Sequence, residues 1–171
     1  MSRRETVGSY YIPMRRKDRE VTDTAAIRAI LDKAQVLHLA MIDGDRPYVV
    51  PLHYGYSLID GRLTLYLHSA KEGRKLDVLR QNDRVAFVLE TDVSMISGGE
   101  LACKYGSAYA SVMGEGQAAL LTDADQKAAA LQILMQTQTG REFPITPAMT
   151  ESVAVIRVDV DAFTAKARPS V

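Results

Sequence analysis

Alternating hydrophobic and polar positions predict β-strands through most of the chain. Leu63, Leu65 and Leu67 occupy every second position and therefore share one face of a strand. Asp-Gly pairs at 43–44 and 60–61 are typical of the tight turns that join antiparallel neighbours. Six strands are predicted in this way, over residues 36–42, 47–54, 63–68, 84–90, 105–121 and 153–163.

Three segments have helical rather than strand-like spacing. Between 27 and 34 the apolar residues follow the i, i+3, i+4, i+7 pattern of an amphipathic helix, which Thr22 or Asp23 can cap. A second short helix is predicted over 76–81, and a cap at Thr122 opens a third that runs through about residue 137. Antiparallel strands with three short helices before or between them predict the α+β class and a small barrel.

Proline and glycine mark where these strands bend or end. Pro51 has no amide hydrogen to donate, so we expect it at a sheet edge or a bulge. Gly106, Gly114 and Gly116 predict bends in the stretch 105–121, which is one long strand or a pair of strands. The Gly-Gly pair between residues 94 and 103 predicts a loop there.

Composition and charge exclude several classes of protein. The chain has 171 residues, with 21 basic and 21 acidic side chains, so no net field favours nucleic acid or an anionic membrane. No apolar run is long enough to span a bilayer. Residues 1–20 are basic rather than apolar, which predicts an extended arm and not a secretion signal, before one domain over 21–171. The single Cys103 fits a reducing cytoplasm.

The segment 68–75 joins a strand end to a helix and has the chemistry of an anion site. Lys71, Arg74 and Lys75 add positive charge to the first turn of that helix, which Ser69 is placed to cap. A phosphate there would receive hydrogen bonds from backbone amides, the hydroxyl and the cations together. A solvated basic turn explains the same spacing equally well. The segment contains neither a dinucleotide-binding glycine pattern nor a Walker motif.

A second polar cluster consists of Tyr105, Ser107, Tyr109 and Ser111, which alternate and would share one strand face. Four hydroxyls on one face line a polar ligand, or they face water or another subunit. Spacing alone does not separate these interpretations.

Other catalytic chemistry has little support in the sequence. The three histidines, at positions 38, 53 and 68, have no pair at the spacing of a metal site, so we predict no metal. No Ser-His-Asp or Cys-His arrangement is readable, which disfavours a hydrolase.

Four stretches carry a family resemblance: residues 14–19, 47–54, 105–116 and, most specific, Leu65-Tyr-Leu-His-Ser-Ala-Lys-Glu-Gly-Arg-Lys75. Together they resemble the FMN-binding split-barrel proteins of the pyridoxamine 5'-phosphate oxidase-like superfamily, and within it the nitroimidazole-resistance (Nim-type) branch. The resemblance covers about residues 14–165. It implies a six-stranded antiparallel split β-barrel with a few short peripheral helices, and a homodimer that holds two FMN molecules between its subunits.

The same resemblance implies roles for individual residues. Four are expected to hold the flavin phosphate and ribityl chain: His68, Ser69, Lys71 and Lys75. The backbone of four others would lie along the flavin ring: Val50, Pro51, Leu52 and His53. Three are candidates to complete the site from a neighbouring strand or subunit: Ser107, Tyr109 and Ser111.

Resemblance to the Nim-type branch also implies a flavin-dependent reductase of a nitroaromatic or another small acceptor, recharged by an outside donor such as a nicotinamide. The catalytic residues stay unknown, although Tyr109 or His53 can donate a proton if it faces the flavin. The C-terminal stretch 166–171 lacks the signature of vitamin B6 oxidation. Two alternatives remain open: a protein that stores or senses flavin or haem without turnover, and a dimeric barrel without a cofactor.

Overall fold

Strands dominate residues 14–169, the part of the chain that the computed structural model describes. Most of the predicted arm, residues 1–13, therefore lies outside the described residues. The elements in chain order are α1 (Thr24–Lys33), β1 (Val36–Asp43), β2 (Arg46–Ile59), β3 (Arg62–Ser69), α2 (Arg74–Gln81), β4 (Arg84–Ile96), β5 (Gly106–Leu121), α3 (Ala124–Thr139) and β6 (Ala154–Arg168). Short 3-10 turns cover Lys17–Arg19, Ala102–Lys104 and Pro147–Ser152.

The six strands close into a barrel in the order β1-β2-β3-β6-β5-β4, and each runs antiparallel to its neighbours. Helix α2 lies in the connection from β3 to β4, and α3 lies in the connection from β5 to β6. The structure confirms the predicted α+β class and the six-stranded antiparallel barrel.

The barrel interior is filled by the side chains that alternation placed on one face of each strand. Leu63, Leu65 and Leu67 are buried as predicted. The apolar face of α1 joins the same core, and the hydroxyl of the buried Tyr54 donates to the carbonyl of Leu31 at 2.6 Å. The fold therefore ties β2 to the last turn of α1 inside the core.

Strand β2 changes partner half-way along its length. Residues 46–53, the open half, pair only with β1, whereas residues 54–59, the closed half, pair only with β3. Each half therefore has one edge without a strand neighbour. Pro51 lies opposite His38 in the open half, which confirms its predicted position on an edge.

Side chains from two helices cover the unpaired edge of the closed half. Gln138 donates to the carbonyl of Tyr54 at 2.7 Å, and Arg28 donates to the carbonyl of Leu58. The hydroxyl of Thr137 approaches the amide of Tyr56 at 3.4 Å. An unpaired strand edge needs such cover, because its backbone groups otherwise lack partners or attract another chain.

Three local predictions were wrong. The loop predicted from Ser94 begins later, because β4 continues to Ile96 after a register shift between Thr91 and Ser94. The cap of α3 is Asp123 and not Thr122, and Asp123 accepts from the amide of Gln126 at 2.8 Å.

The third error concerns α2, which Gly73 precedes as N-cap, so Ser69 does not cap it. The hydroxyl of Ser69 instead donates to the carbonyl of Ala70 at 2.9 Å. A cap must directly precede the first helical turn, and three residues separate Ser69 from Gly73.

Candidate functional site

Pairing between β2 and β3 ends part-way along both strands, and we call the region beyond that point the cleft. Their pairing ends at Tyr54 and Leu67, after which the open half of β2 follows β1 while β3 continues along β6 to Ser69. The backbone edge of residues 46–53 therefore faces the end of β3 and the loop that leads to α2. This cleft lies between two of the sequence-predicted groups, residues 50–53 and 68–75.

Three basic side chains meet at this cleft. His68 points outward from β3, as the alternation with the buried Leu67 requires, and is half-buried. Burial lowers its pKa, and the nearby charges of His53 and Lys75 lower it further. His53 and Lys75 therefore lie near enough to His68 for their charges to act on it.

The imidazole of His68 contains a buried polar atom without a partner. Its Nδ1 has no hydrogen-bond partner among residues 14–169. A buried nitrogen that makes no hydrogen bond is unfavourable, and in native proteins such atoms usually meet water or a ligand. The Nδ1 atom therefore marks a place for a polar ligand in the cleft.

Lys75 and Lys71 differ in their surroundings. Lys75 is half-buried in the first turn of α2, and burial lowers the pKa of its ammonium group. Lys71 is exposed in the preceding loop. No side chain caps α2, whose Gly73 has a φ of 136°. The amides of Leu76 and Asp77 donate to the carbonyl of Gly73, which leaves those of Arg74 and Lys75 without a helical partner. The arrangement suits an anion held mainly by Lys75.

The open half presents its backbone to the cleft. Val50 and Leu52 pack against the core, whereas Pro51 and His53 are exposed on the outer face. The Nδ1 atom of His53 lies 3.0 Å from the carbonyl of Gln35, a hydrogen bond that orients the ring. Because residues 46–53 pair only with β1, their other backbone edge has no strand partner and can pair with a ligand.

Sequence reasoning missed the partners of Arg74. The sequence predicts that Arg74 adds positive charge to the anion site together with the two lysines. In the structure its Nε donates to Asp43 at 2.7 Å, and its guanidinium carbon lies 4.3 Å from the centroid of the Tyr48 ring. Nothing in the local sequence connects these residues, because the contact crosses from α2 to the hairpin of β1 and β2. Two of the three predicted cations, Lys71 and Lys75, make no ion pair within residues 14–169.

Two surface cavities lie away from the cleft. One of about 820 Å³ lies between α1, the closed half of β2 and α3, and is lined by the same Arg28, Thr137 and Gln138 that cover the strand edge. The other, of about 620 Å³, lies at the end of β5 beside Tyr109. Within residues 14–169, no cluster of three His, Cys, Asp or Glu residues is placed to hold a metal, and no helix is long and apolar enough to cross a membrane.

The family model for pyridoxamine 5'-phosphate oxidase matches residues 23–167 of the sequence. The chain belongs to the pyridoxamine 5'-phosphate oxidase family. No curated protein matches the sequence at a significant level.

Solved structures place this family member among several relatives. A candidate 5-nitroimidazole antibiotic resistance protein from Bacteroides thetaiotaomicron is 30% identical, with 86% of this chain and 85% of that chain covered and a TM-score of 0.72. A candidate pyridoxamine 5'-phosphate oxidase from Listeria innocua is 27% identical over 82% of this chain and 95% of that chain, with a TM-score of 0.52. The flavocytochrome Anf3 from Azotobacter vinelandii is 22% identical over 92% and 73% of the two chains, with a TM-score of 0.71, and shares the fold alone.

One predicted group of this pyridoxamine 5'-phosphate oxidase family member lies on β5, three strands away from the open half of β2. Ser107, Tyr109 and Ser111 point outward from β5, as the burial of their neighbours shows, while Tyr105 precedes the strand. His68 aligns through β6 with Leu121, at the other end of β5. Ten residues of strand, roughly 30 Å, separate Ser111 from Leu121. In the other direction around the barrel, Leu52 aligns through Leu37 and Leu89 with Val112, the neighbour of Ser111, so three strand spacings, roughly 14 Å, separate the open half from this part of β5. No hydrogen bond within residues 14–169 joins the three hydroxyls to residues 50–53 or 68–75.

Proposed function

We propose that this protein binds FMN in the cleft and uses it as an oxidoreductase of small electron acceptors. The observation that carries the proposal is the buried, unpartnered Nδ1 of His68 beside the half-buried ammonium group of Lys75. The imidazole of His68 and the amine of Lys75 can each carry a positive charge, and neither has an acidic partner within residues 14–169. Together they suit a phosphate. Family membership and the flat open edge of β2 support flavin as the molecule that carries this phosphate.

The residues of the cleft fit the parts of FMN in order. Lys75, Lys71, Ser69 and His68 would hold the phosphate and the first part of the ribityl chain. A bound phosphate favours the protonated imidazole and the charged ammonium group, so it would reverse the lowered pKa values of His68 and Lys75. The backbone of residues 50–53 would lie along the ring edge, where its free amide and carbonyl groups can pair with the polar atoms of the ring.

FMN would supply the two-electron chemistry, and the protein would supply position and protons. His53 is exposed at the end of this edge, and the bond from its Nδ1 to the carbonyl of Gln35 leaves Nε2 as the free nitrogen. We propose a nitroaromatic as one acceptor and a nicotinamide as the donor. The nitroaromatic is supported by the 30% identical relative described as a candidate 5-nitroimidazole antibiotic resistance protein. The single Cys103 supports a cytoplasmic setting.

We also propose that the active form is a homodimer. The outward face of β1, β2, β4 and β5 carries four exposed apolar side chains: Ile42, Val49, Met95 and Met113. An exposed apolar face of this kind is typical of a subunit interface. A second copy is the partner that also accounts for Ser107, Tyr109 and Ser111, because a partner chain can bring them to a cleft from which three strand spacings separate them in their own chain.

The oligomeric state tests the interface directly. Val49→Glu places a charge in the centre of the proposed interface, and we expect a monomer by size-exclusion chromatography with light scattering. Ile59→Glu is the matched control, because Ile59 is 66% exposed at the tip of the β2–β3 hairpin. A dimer that persists with Val49→Glu, or a wild-type monomer, would contradict the proposed interface.

The absorbance spectrum of the purified protein, followed by denaturing release of the ligand and mass analysis, tests the cofactor. We expect the bands of oxidised flavin and the mass of FMN, and bleaching by a nicotinamide that a nitroaromatic reverses in the absence of oxygen. A protein that binds FMN but is not reoxidised faster by any acceptor than by oxygen would support the storage or sensing alternative. A haem band, or a colourless protein that takes up no added FMN, would overturn the flavin proposal.

A further inference from the structure

Arg74 is the one cation of the segment 68–75 that already has partners in the described chain. It donates to Asp43, the last residue of β1, and stacks on the ring of Tyr48 in the open half of β2. We call these three residues the Arg74 clasp. The clasp reaches from the first residue of α2 to the hairpin that forms the opposite wall of the cleft.

The clasp contains the only side-chain hydrogen bond within residues 14–169 that joins the segment 69–81 to the β1–β2 hairpin. The buried Leu76, Val78 and Leu79 anchor the body of α2 to the core. The loop 70–73 before α2 has no such anchor, because its residues are exposed and Gly73 adopts a φ of 136°. The pairing of Ser69 with Ala154 and the buried side of α2 hold the two ends of this loop, and the clasp is its side-chain connection to the hairpin.

The geometry of the clasp is better suited to holding the hairpin and the loop at a fixed distance than to stabilising the fold. An exposed ion pair alone contributes little to stability, and the side chains of Arg74 and Asp43 are 58% and 36% exposed. Stacking on Tyr48 restricts the planar guanidinium to one orientation, which an ammonium group would not share. Because both partners belong to the hairpin, the clasp fixes the distance between hairpin and loop.

We propose that Arg74 is a positioning residue that sets the width of the cleft and does not itself bind the flavin phosphate. This inference rests on the proposed function and deepens it, because it names what controls affinity for the phosphate. Lys71 and Lys75 hold the phosphate, and Arg74 keeps their segment at the distance from the open half that one flavin spans.

A direct phosphate ligand and a positioning residue respond differently to the loss of Asp43. If Arg74 bound the phosphate, Asp43 would compete for the guanidinium, and Asp43→Asn would strengthen FMN binding. If Arg74 positions the segment, Asp43→Asn releases the loop and weakens FMN binding. Riboflavin, which has the same ring and no phosphate, reports whether the ring site is intact.

The experiment measures dissociation constants of FMN and riboflavin by flavin fluorescence for the full-length wild type, Arg74→Ala, Arg74→Lys and Asp43→Asn. We expect Arg74→Ala to weaken FMN binding about tenfold and Asp43→Asn about threefold, with riboflavin binding unchanged. Arg74→Lys keeps the ion pair without the stacking, so its affinity should lie between wild type and Arg74→Ala. Thermal melting of each variant without ligand should stay within a few degrees of wild type.

Each opposite result has a distinct meaning. Stronger FMN binding by Asp43→Asn, or unchanged FMN binding by Arg74→Ala, would overturn the positioning role while leaving the proposed function intact. Equal losses of FMN and riboflavin binding in Arg74→Ala would also overturn it, because the effect would not concern the phosphate. A wild type that binds neither flavin would overturn the proposed function, and the inference with it.

Discussion

Each half of β2 lacks a strand neighbour on one edge, but within residues 14–169 side chains cover only the edge of the closed half. In the closed half, Gln138 and Arg28 donate to the exposed carbonyls, and α3 packs over the strand. In the open half, which ends at His53, no side chain within residues 14–169 donates to the backbone, and His68 and the half-buried Lys75 lie nearby. The closed half shows that side chains in this fold can cover an unpaired strand edge, and the uncovered edge of the open half is where we propose that a ligand binds.

The closed half depends on the close approach of α3, and Gly55 tests this most strongly. A Cβ added at Gly55 would stand 2.5 Å from the amide nitrogen of Leu134, a backbone atom of α3. We expect Gly55→Ala to lower the free energy of unfolding by about 3 kcal/mol, because the helix must move away. Urea unfolding measures the loss. Ser57→Ala, on the same strand face, is the control and should cost far less.

The open half depends on charge, and its two lysines should contribute unequally. Lys75 is half-buried next to His68, whereas Lys71 is exposed to water. We expect Lys75→Ala to weaken FMN binding roughly 100-fold and Lys71→Ala by less than about fivefold, because a desolvated charge–phosphate bond is the stronger one. Isothermal titration of apoprotein with FMN gives both values. Equal effects of the two substitutions would contradict a site centred on Lys75.

The cover of the closed edge should matter for stability and not for flavin. Gln138→Ala leaves the carbonyl of Tyr54 without its partner, and we expect it to lower the free energy of unfolding by about 1.5 kcal/mol. Gln136→Ala is the matched control, because Gln136 is exposed on the same helix. FMN affinity should be unchanged in both. A loss of FMN affinity in Gln138→Ala would contradict the claim that the closed half serves stability and only the open half serves flavin binding.

The smallest effect concerns pH. Burial lowers the pKa of His68, so between that lowered value and about 6.5 the unfolded chain binds a proton that the folded chain does not. Stability due to this residue is therefore full above about pH 6.5 and falls as the pH falls through this range. Urea unfolding between about pH 5 and 8 should show a smaller acid loss for His68→Asn. Bound FMN should reduce the wild-type loss, because its phosphate favours the charged imidazole.

Local patterns predicted most of the fold. The alternation of Leu63, Leu65 and Leu67 and the Asp-Gly turns depend only on neighbouring residues, so they predicted the strands and their antiparallel order. The extension of β4 to Ile96 was missed because it depends on pairing with β5 across a bulge. The change of partner in β2 was missed for the same reason, although Pro51 indicated an edge.

The candidate site was predictable where it follows one stretch of chain and not where it crosses elements. The segment 68–75 was identified from its own residues, and the structure brings His68 and Lys75 close to His53. The pairing of Arg74 with Asp43 and Tyr48 spans two elements, and no local spacing reveals it. The part that Ser107, Tyr109 and Ser111 take in the site rests on the proposed homodimer, so it stays a prediction.

Hydrogen–deuterium exchange of the apoprotein, with and without FMN, tests the contrast between the two halves most directly. We predict that FMN slows exchange in peptides that cover residues 46–53 and 68–76, because the ligand pairs with the free edge of the open half and orders the segment 68–75. Exchange in residues 54–59 and 132–139 should stay the same. Protection confined to the closed half and α3, or no protection anywhere when FMN is bound, would contradict the account.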